Sequence, residues 1–256
     1  MKRLGIAAAA LLLLMAVTPA FAIDSIKMTV TPSELKIDAF YDGTSVSVSG
    51  TAPSDSQVVL RFLGATCDLH MKERGKVLGI MWMNLDSLIF KSVPSVCLVS
   101  SAVDLESLGS GGDGSAIKGL GLSGIKDSAR VASNGIDRKT ALEELLRLKQ
   151  GEGLYRETVG NVTYGSATGA ARTFTARIPI PSRLTPGDYL VEAAAISKGQ
   201  IVARSQQPVT VTLVGFPAML ASLAFGHSAL YGVLATVIAI LAGLAIGLVF
   251  QSKGAH

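Results

Sequence analysis

The sequence predicts a mainly β protein: an immunoglobulin-like antiparallel β-sandwich with a helical insertion, joined to a single C-terminal transmembrane helix. Three observations carry that expectation. From Ile26 to Leu213, short segments alternate apolar and polar residues between clusters of Asp, Gly and Pro, as half-buried strands do. From about Ala102 to Gly153 the period becomes helical. Finally, Ala229 to Phe250 is apolar and without charge; as a helix it reaches about 33 Å, enough for a hydrocarbon core of roughly 30 Å.

The N-terminus, taken first, reads Met1-Lys2-Arg3, an apolar run from Leu4 to Val17, then Thr18-Pro19-Ala20-Phe21-Ala22. Basic start, short apolar centre and Ala-x-Ala ending are the parts of a signal peptide over residues 1–22. Residues 23–214 are then an extracytoplasmic sandwich domain. An exported chain that meets an apolar stop keeps its bulk outside, and Lys253 in the tail, residues 251–256, agrees with the positive-inside rule. The expected location is a bacterial inner membrane, crossed once, with the domain in the periplasm.

Within the domain, Lys27–Thr31, Leu35–Tyr41, Val46–Gly50 and Val58–Phe62 read as strands, with an Asp42-Gly43 turn and Pro53-Ser54-Asp55 between them. Lys76–Asn84 reads as an apolar strand holding Trp82, the only tryptophan. Core packing is the plain reading of that ring, and a recognition surface the sharper one. Leu88–Phe90 and Val93–Val99 follow.

The insertion, about 102–153, starts with a Gly-rich loop at 109–115. Asp137 can cap a helix from Arg138 to Gln150, with Ala141, Leu142, Leu145, Leu146 and Leu148 as its apolar stripe and Gly151 at its end. Strands resume at Phe174–Ile178, Tyr189–Ile196, Ile201–Ala203 and Val209–Leu213, and Tyr189 is placed for a tyrosine corner. In the juxtamembrane segment, 215–228, Phe216, Met219, Leu220 and Leu223 have helical spacing, which suits a helix lying in the interface.

Charge and motifs bound the chemistry. The net charge of +4 includes Lys2 and Arg3; without them the domain is close to neutral and has no basic cluster, so nucleic acid is not expected as a partner. Cys67 and Cys97 lie in the exported part. A disulfide closing about thirty residues would contribute roughly 3–4 kcal/mol, and free thiols or a metal site are the alternatives. Cys67, His70 and Cys97, with Met81 and Met83, are the residues from which a copper or redox site could be built, since thiolate, imidazole and thioether suit copper. A hydrolase would have to use His70 as its base, and neither a Gly-x-Ser-x-Gly motif nor a paired acid accompanies it; Asp68, Asp86 and Asp188 stand singly. No catalytic residue and no cofactor is expected. In the span, Ala235, Ala239, Gly243 and Gly247 recur every fourth residue, a small-residue face that lets a second helix approach. A homodimer or a larger membrane protein would fit it.

Gly79-Ile80-Met81-Trp82-Met83-Asn84, Phe90, Val93-Pro94-Ser95, Gly153-Leu154-Tyr155, Pro186-Gly187-Asp188-Tyr189 and Leu230-Tyr231-Gly232 form a set of short motifs. Together they resemble a family of predicted bacterial transmembrane proteins first grouped from alphaproteobacteria. Both cysteines and the loop 109–115 depart from the family pattern. The resemblance brings no catalytic residues with it. Members are often encoded near permeases of the sulfite-exporter type, which implies an accessory role beside an anion transporter. The expected function is therefore a membrane-anchored binding or interaction module with a transporter as partner; the alternative is a periplasmic copper or redox protein using Cys67, His70 and Cys97.

Overall fold

The computed structural model describes residues 26–251 except 78–79, 111, 113 and 133–136. The expected signal peptide and residues 252–256 of the tail lie outside the described residues. In chain order the strands are β1 (Lys27–Thr31), β2 (Glu34–Ile37), β3 (Thr44–Pro53), β4 (Gln57–Gly64), β5 (Thr66–Val77), β6 (Met81–Pro94) and β7 (Cys97–Ser101). After helices α1 (Leu105–Leu108), α2 (Gly114–Lys118) and α3 (Leu122–Ser128) come β8 (Arg130–Ala132) and α4 (Arg138–Gly151). Then follow β9 (Tyr155–Val159), β10 (Val162–Thr168), β11 (Ala171–Ile180), β12 (Gly187–Ser197) and β13 (Gln200–Leu213).

Two sheets face each other, one in the order β1-β3-β11-β10 and one in the order β2-β13-β12-β4-β7-β9. This is the strand order of a variable-type immunoglobulin domain. Alternation drives it. β1 and β11 bury every second side chain, Met28 and Val30 on one and Phe174, Ala176, Ile178 and Ile180 on the other. The tyrosine corner forms: the Tyr189 hydroxyl donates to the Thr185 carbonyl at 2.7 Å, and its ring stacks on Phe62.

The middle strands of the six-stranded sheet, β12, β4 and β7, are buried on both faces. All of Cys97–Ser101 is buried, as are Val58, Val59 and Leu60 in a row and Ala193 to Ile196. One face meets the other sheet. The second is covered by the insertion, whose Leu105, Ile117, Leu120, Leu122 and Ile125 join the same core. The insertion also explains the one departure from variable-type pairing: β9 runs parallel to β7, and parallel neighbours need a long crossover connection.

β5 and β6 form a third sheet with β8. They continue the β4–β7 pair without a gap in the ladder, because Gly64 donates to Val96 at 2.9 Å and Ser95 to Ala65 at 2.9 Å, after which Thr66 faces Pro94. The ribbon therefore runs beyond the end of the sandwich. Register shows which end. Gly64 pairs with Tyr189, Gly187 with Val211, and Ile37 with Leu213. The root of the ribbon and the last strand before the membrane segment thus share one end, two strands apart.

Past Leu213 come α5 (Gly215–Ala221), a π-helical stretch (Ser222–Gly226) and α6 (Ser228–Gln251). α6 is long and apolar enough to cross a membrane, and none of its most apolar stretch is buried against the rest of the chain.

Several readings of the sequence are corrected. Lys76–Asn84 is not one strand: β5 ends at Val77, β6 begins at Met81 and the two pair antiparallel, and Trp82 is 67% exposed on β6. The apolar run lies past the end of the sandwich, so no opposing sheet covers it. β2 stops at Ile37 because the Asp38 carboxylate accepts from Phe40 N–H at 2.9 Å and turns the chain. Leu148 leaves the buried stripe of α4 and is 44% exposed. Ile201–Ala203 and Val209–Leu213 are one strand through Pro208, which is tolerated because β2 pairs with β13 only from Thr210 onward.

Candidate functional site

The residues singled out by sequence fall in three separate places. Cys97 begins β7 and is wholly buried, whereas Cys67 is exposed on β5; both thiols are free, so the expected disulfide is not formed. Burial pushes the Cys97 thiol up to about 11, against the opposing pull of Arg61 beside it. A thiol held protonated is neither a good nucleophile nor a good metal ligand. Tyr155 is raised as well, first by burial and then by the two cysteines. Its hydroxyl donates to the Pro94 carbonyl at 2.6 Å, which ties the start of β9 to the end of β6.

The copper set does not come together. Among the described residues no group of three or more His, Cys, Asp or Glu side chains converges. His70 lies opposite Ile89, while Met83 lies opposite Gly75 and Met81 opposite Val77. Five or more residues of strand separate His70 from these thioethers, roughly 16 Å at 3.3 Å per residue. Cys97 is in a different sheet. The same placement leaves His70 exposed, in no ion pair with a carboxylate among the described residues.

The far half of the β5–β6 ribbon was only partly legible. Its exposed face alternates Lys72, Arg74 and Lys76 along β5, and Trp82 stands directly across from Lys76, whose ammonium lies 5.4 Å from the ring centre. Ile80, Met81 and Met83 are exposed beside it. The lysine spacing could have been found by taking β5 as a strand, but its alternation of polar residues with Met71, Glu73 and Gly75 is a weak signal.

Elsewhere, Glu192 of β12 is buried between two arginines; Arg61 Nη1 donates to it at 3.2 Å and Arg204 Nη1 at 2.8 Å. A cleft of ≈ 670 Å³ between the insertion helices is lined by both signs of charge, Glu106, Glu143 and Glu157 with Lys118 and Lys126. In α6 the residues Ala235, Ala239, Gly243 and Gly247 are exposed on one side, and a Cβ added at Gly243 or Gly247 would meet nothing within 4 Å.

A family described as "Putative transmembrane protein (Alph_Pro_TM)" matches residues 25–252, nearly the whole chain. The chain belongs to this family. Membership agrees with the one helix, among the described residues, that is long and apolar enough to cross a membrane, and together they support a single-pass transmembrane protein. Comparison with curated proteins gives no match. Among solved structures, the chain is similar to domain 1 of VCBP3 from Branchiostoma floridae, at 13% identity and a TM-score of 0.27, over 75% of this chain and 97% of that one. At that score the likeness carries no argument; the sandwich rests on the strand order above.

Proposed function

We propose that this protein is an extracytoplasmic interaction module, anchored in the bacterial inner membrane with its sandwich in the periplasm, and that it serves as an accessory subunit of a membrane partner. The observation that carries this reading is the bare span. Among the described residues none of the apolar stretch of α6 is buried, and its row of Ala235, Ala239, Gly243 and Gly247 leaves room for a second helix to approach closely. An anion exporter of the sulfite type is the partner that the family resemblance implies. In this reading the transporter binds the anion and the domain acts through its surfaces. A second copy of the chain would use the same helix face.

The test is purification of the full-length protein from its own membrane in mild detergent, beside Gly243→Leu with Gly247→Leu. An anion exporter that copurifies with the parent and is lost from the variant supports the accessory role. A protein that emerges alone and monomeric in both forms overturns it. A homodimer lost in the variant replaces the transporter by a second copy.

A further inference from the structure

We infer that the far end of the β5–β6 ribbon is a second membrane contact: Ile80, Met81, Trp82 and Met83 enter the interface of the bilayer that α6 crosses, while Lys72, Arg74 and Lys76 bind anionic headgroups. The inference needs only the membrane anchor. It stands apart from the partner proposed above.

Placement is the first argument. The ribbon leaves the sandwich at the end from which β13 leads to the membrane, two strands away, or about 10 Å. Reach is the second. β5 is 12 residues long and extends about 40 Å, whereas Gly215–Gly226 as a helix spans roughly 18 Å. The end of the ribbon can therefore meet the surface that the anchor enters, and a lean of the domain is enough to set its depth.

Chemistry is the third. Four consecutive large apolar residues are exposed there, Ile80 at 80%, and water is a poor solvent for all four. An indole with a lysine across the strand is amphipathic in the way that suits the headgroup level. The cations line the same face of β5 as the partner of Trp82, while Glu73 points to the other face. Exposed aromatic rings follow the same polarity. Among the described residues outside α6 they are Phe40, Trp82, Phe216 and Phe225; Phe40 follows β2 at the membrane end, and the last two lie in the juxtamembrane segment. At the opposite end the exposed large apolar residues are valines, Val103, Val159 and Val202.

The chain supplies its own probe, because Trp82 is its one tryptophan. Full-length protein is reconstituted in vesicles of phosphatidylcholine, with or without phosphatidylglycerol, carrying ordinary or brominated acyl chains. The expected result is an emission shifted to the blue that loses intensity in brominated lipid, more strongly with phosphatidylglycerol present. Reversing Lys72, Arg74 and Lys76 to Glu should abolish the phosphatidylglycerol dependence, each removed cation shifting the docked ratio by about fivefold. Emission that ignores bromine in both lipids overturns the inference, whether the ring stays in water or is covered by a second copy. Quenching that charge reversal leaves unchanged overturns the headgroup contact. The pull-down with the α6 variant can fail without touching either result.

Discussion

Glu192 holds Arg61 and Arg204 from the two neighbouring strands; its own side chain is 4% exposed and that of Arg61 16%, while Arg204 is half in water. Glu192→Ala leaves the largely buried Arg61 without its carboxylate and should lower stability by about 3 kcal/mol, the low end for a buried pair because solvent screens Arg204. Glu192→Gln keeps the shape and one acceptor and should cost less; thermal unfolding of the two variants side by side checks the order. Cys97 gives a pH signature. Its thiol is raised by burial from an ordinary value of 9.0 to about 11, so the fold binds that proton more tightly than the unfolded chain does. The corresponding stability is complete below about pH 9 and is lost as the pH climbs through 11. Urea unfolding across that range should fall more steeply for the parent than for Cys97→Ala. At pH 8 a thiol reagent should titrate one cysteine, Cys67, in the folded protein and both in the unfolded one.

Among elements, α4 was the most legible in the sequence. Its N-cap is Asp137, whose carboxylate accepts from Lys139 N–H at 3.1 Å, and its buried stripe is Ala141, Leu142, Leu145 and Leu146. Asp137→Ala should cost about 1 kcal/mol by loss of that cap, measurable in chemical denaturation. The strands with one buried face were legible for the same reason: β1 and β11 write their burial as strict alternation. β9 and β10 were not, because Tyr155–Val159 and Val162–Thr168 are edge strands rich in polar residues, and an edge imposes little pattern. The β5–β6 ribbon failed differently. An apolar run normally signals a core, and Ile80 to Met83 is apolar without one, so core packing was the plainer of the two readings of Trp82 and the exposed surface the sharper. Of the candidate site, sequence could name Trp82 and the small residues of α6, but not that Lys76 stands across from the ring, since register is a property of pairing. If the ribbon beyond Lys72 and Ser87 is outside the core, replacing the residues between them with an Asn-Gly turn should leave the thermal midpoint unchanged. A large fall would place that segment in the folding unit.

At the scale of the whole molecule, one fold arrangement sets two surfaces toward one side. A variable-type sandwich ends its last strand at the end where its β4–β7 loop turns, and here that loop is lengthened into a ribbon while the last strand continues to the anchor. Any surface that the ribbon presents is therefore presented near the membrane, and the insertion helices, which cover the outer face of the larger sheet, are left to face away from the other sheet. The side of the membrane on which this happens can be read with the native cysteines. Cys67 is exposed on β5 and Cys97 is buried, so a membrane-impermeant maleimide reports on Cys67 alone while the protein is folded. In spheroplasts of intact inner membrane, a periplasmic domain should be labelled at once and to the same extent as after lysis, and Cys67→Ser should remove the signal. Labelling that appears only after lysis would put the domain in the cytoplasm and reverse the topology read from the two ends of the chain. The bilayer contact of Trp82 would survive that reversal, because the ribbon and the anchor would still leave the sandwich at the same end; the periplasmic accessory role would not.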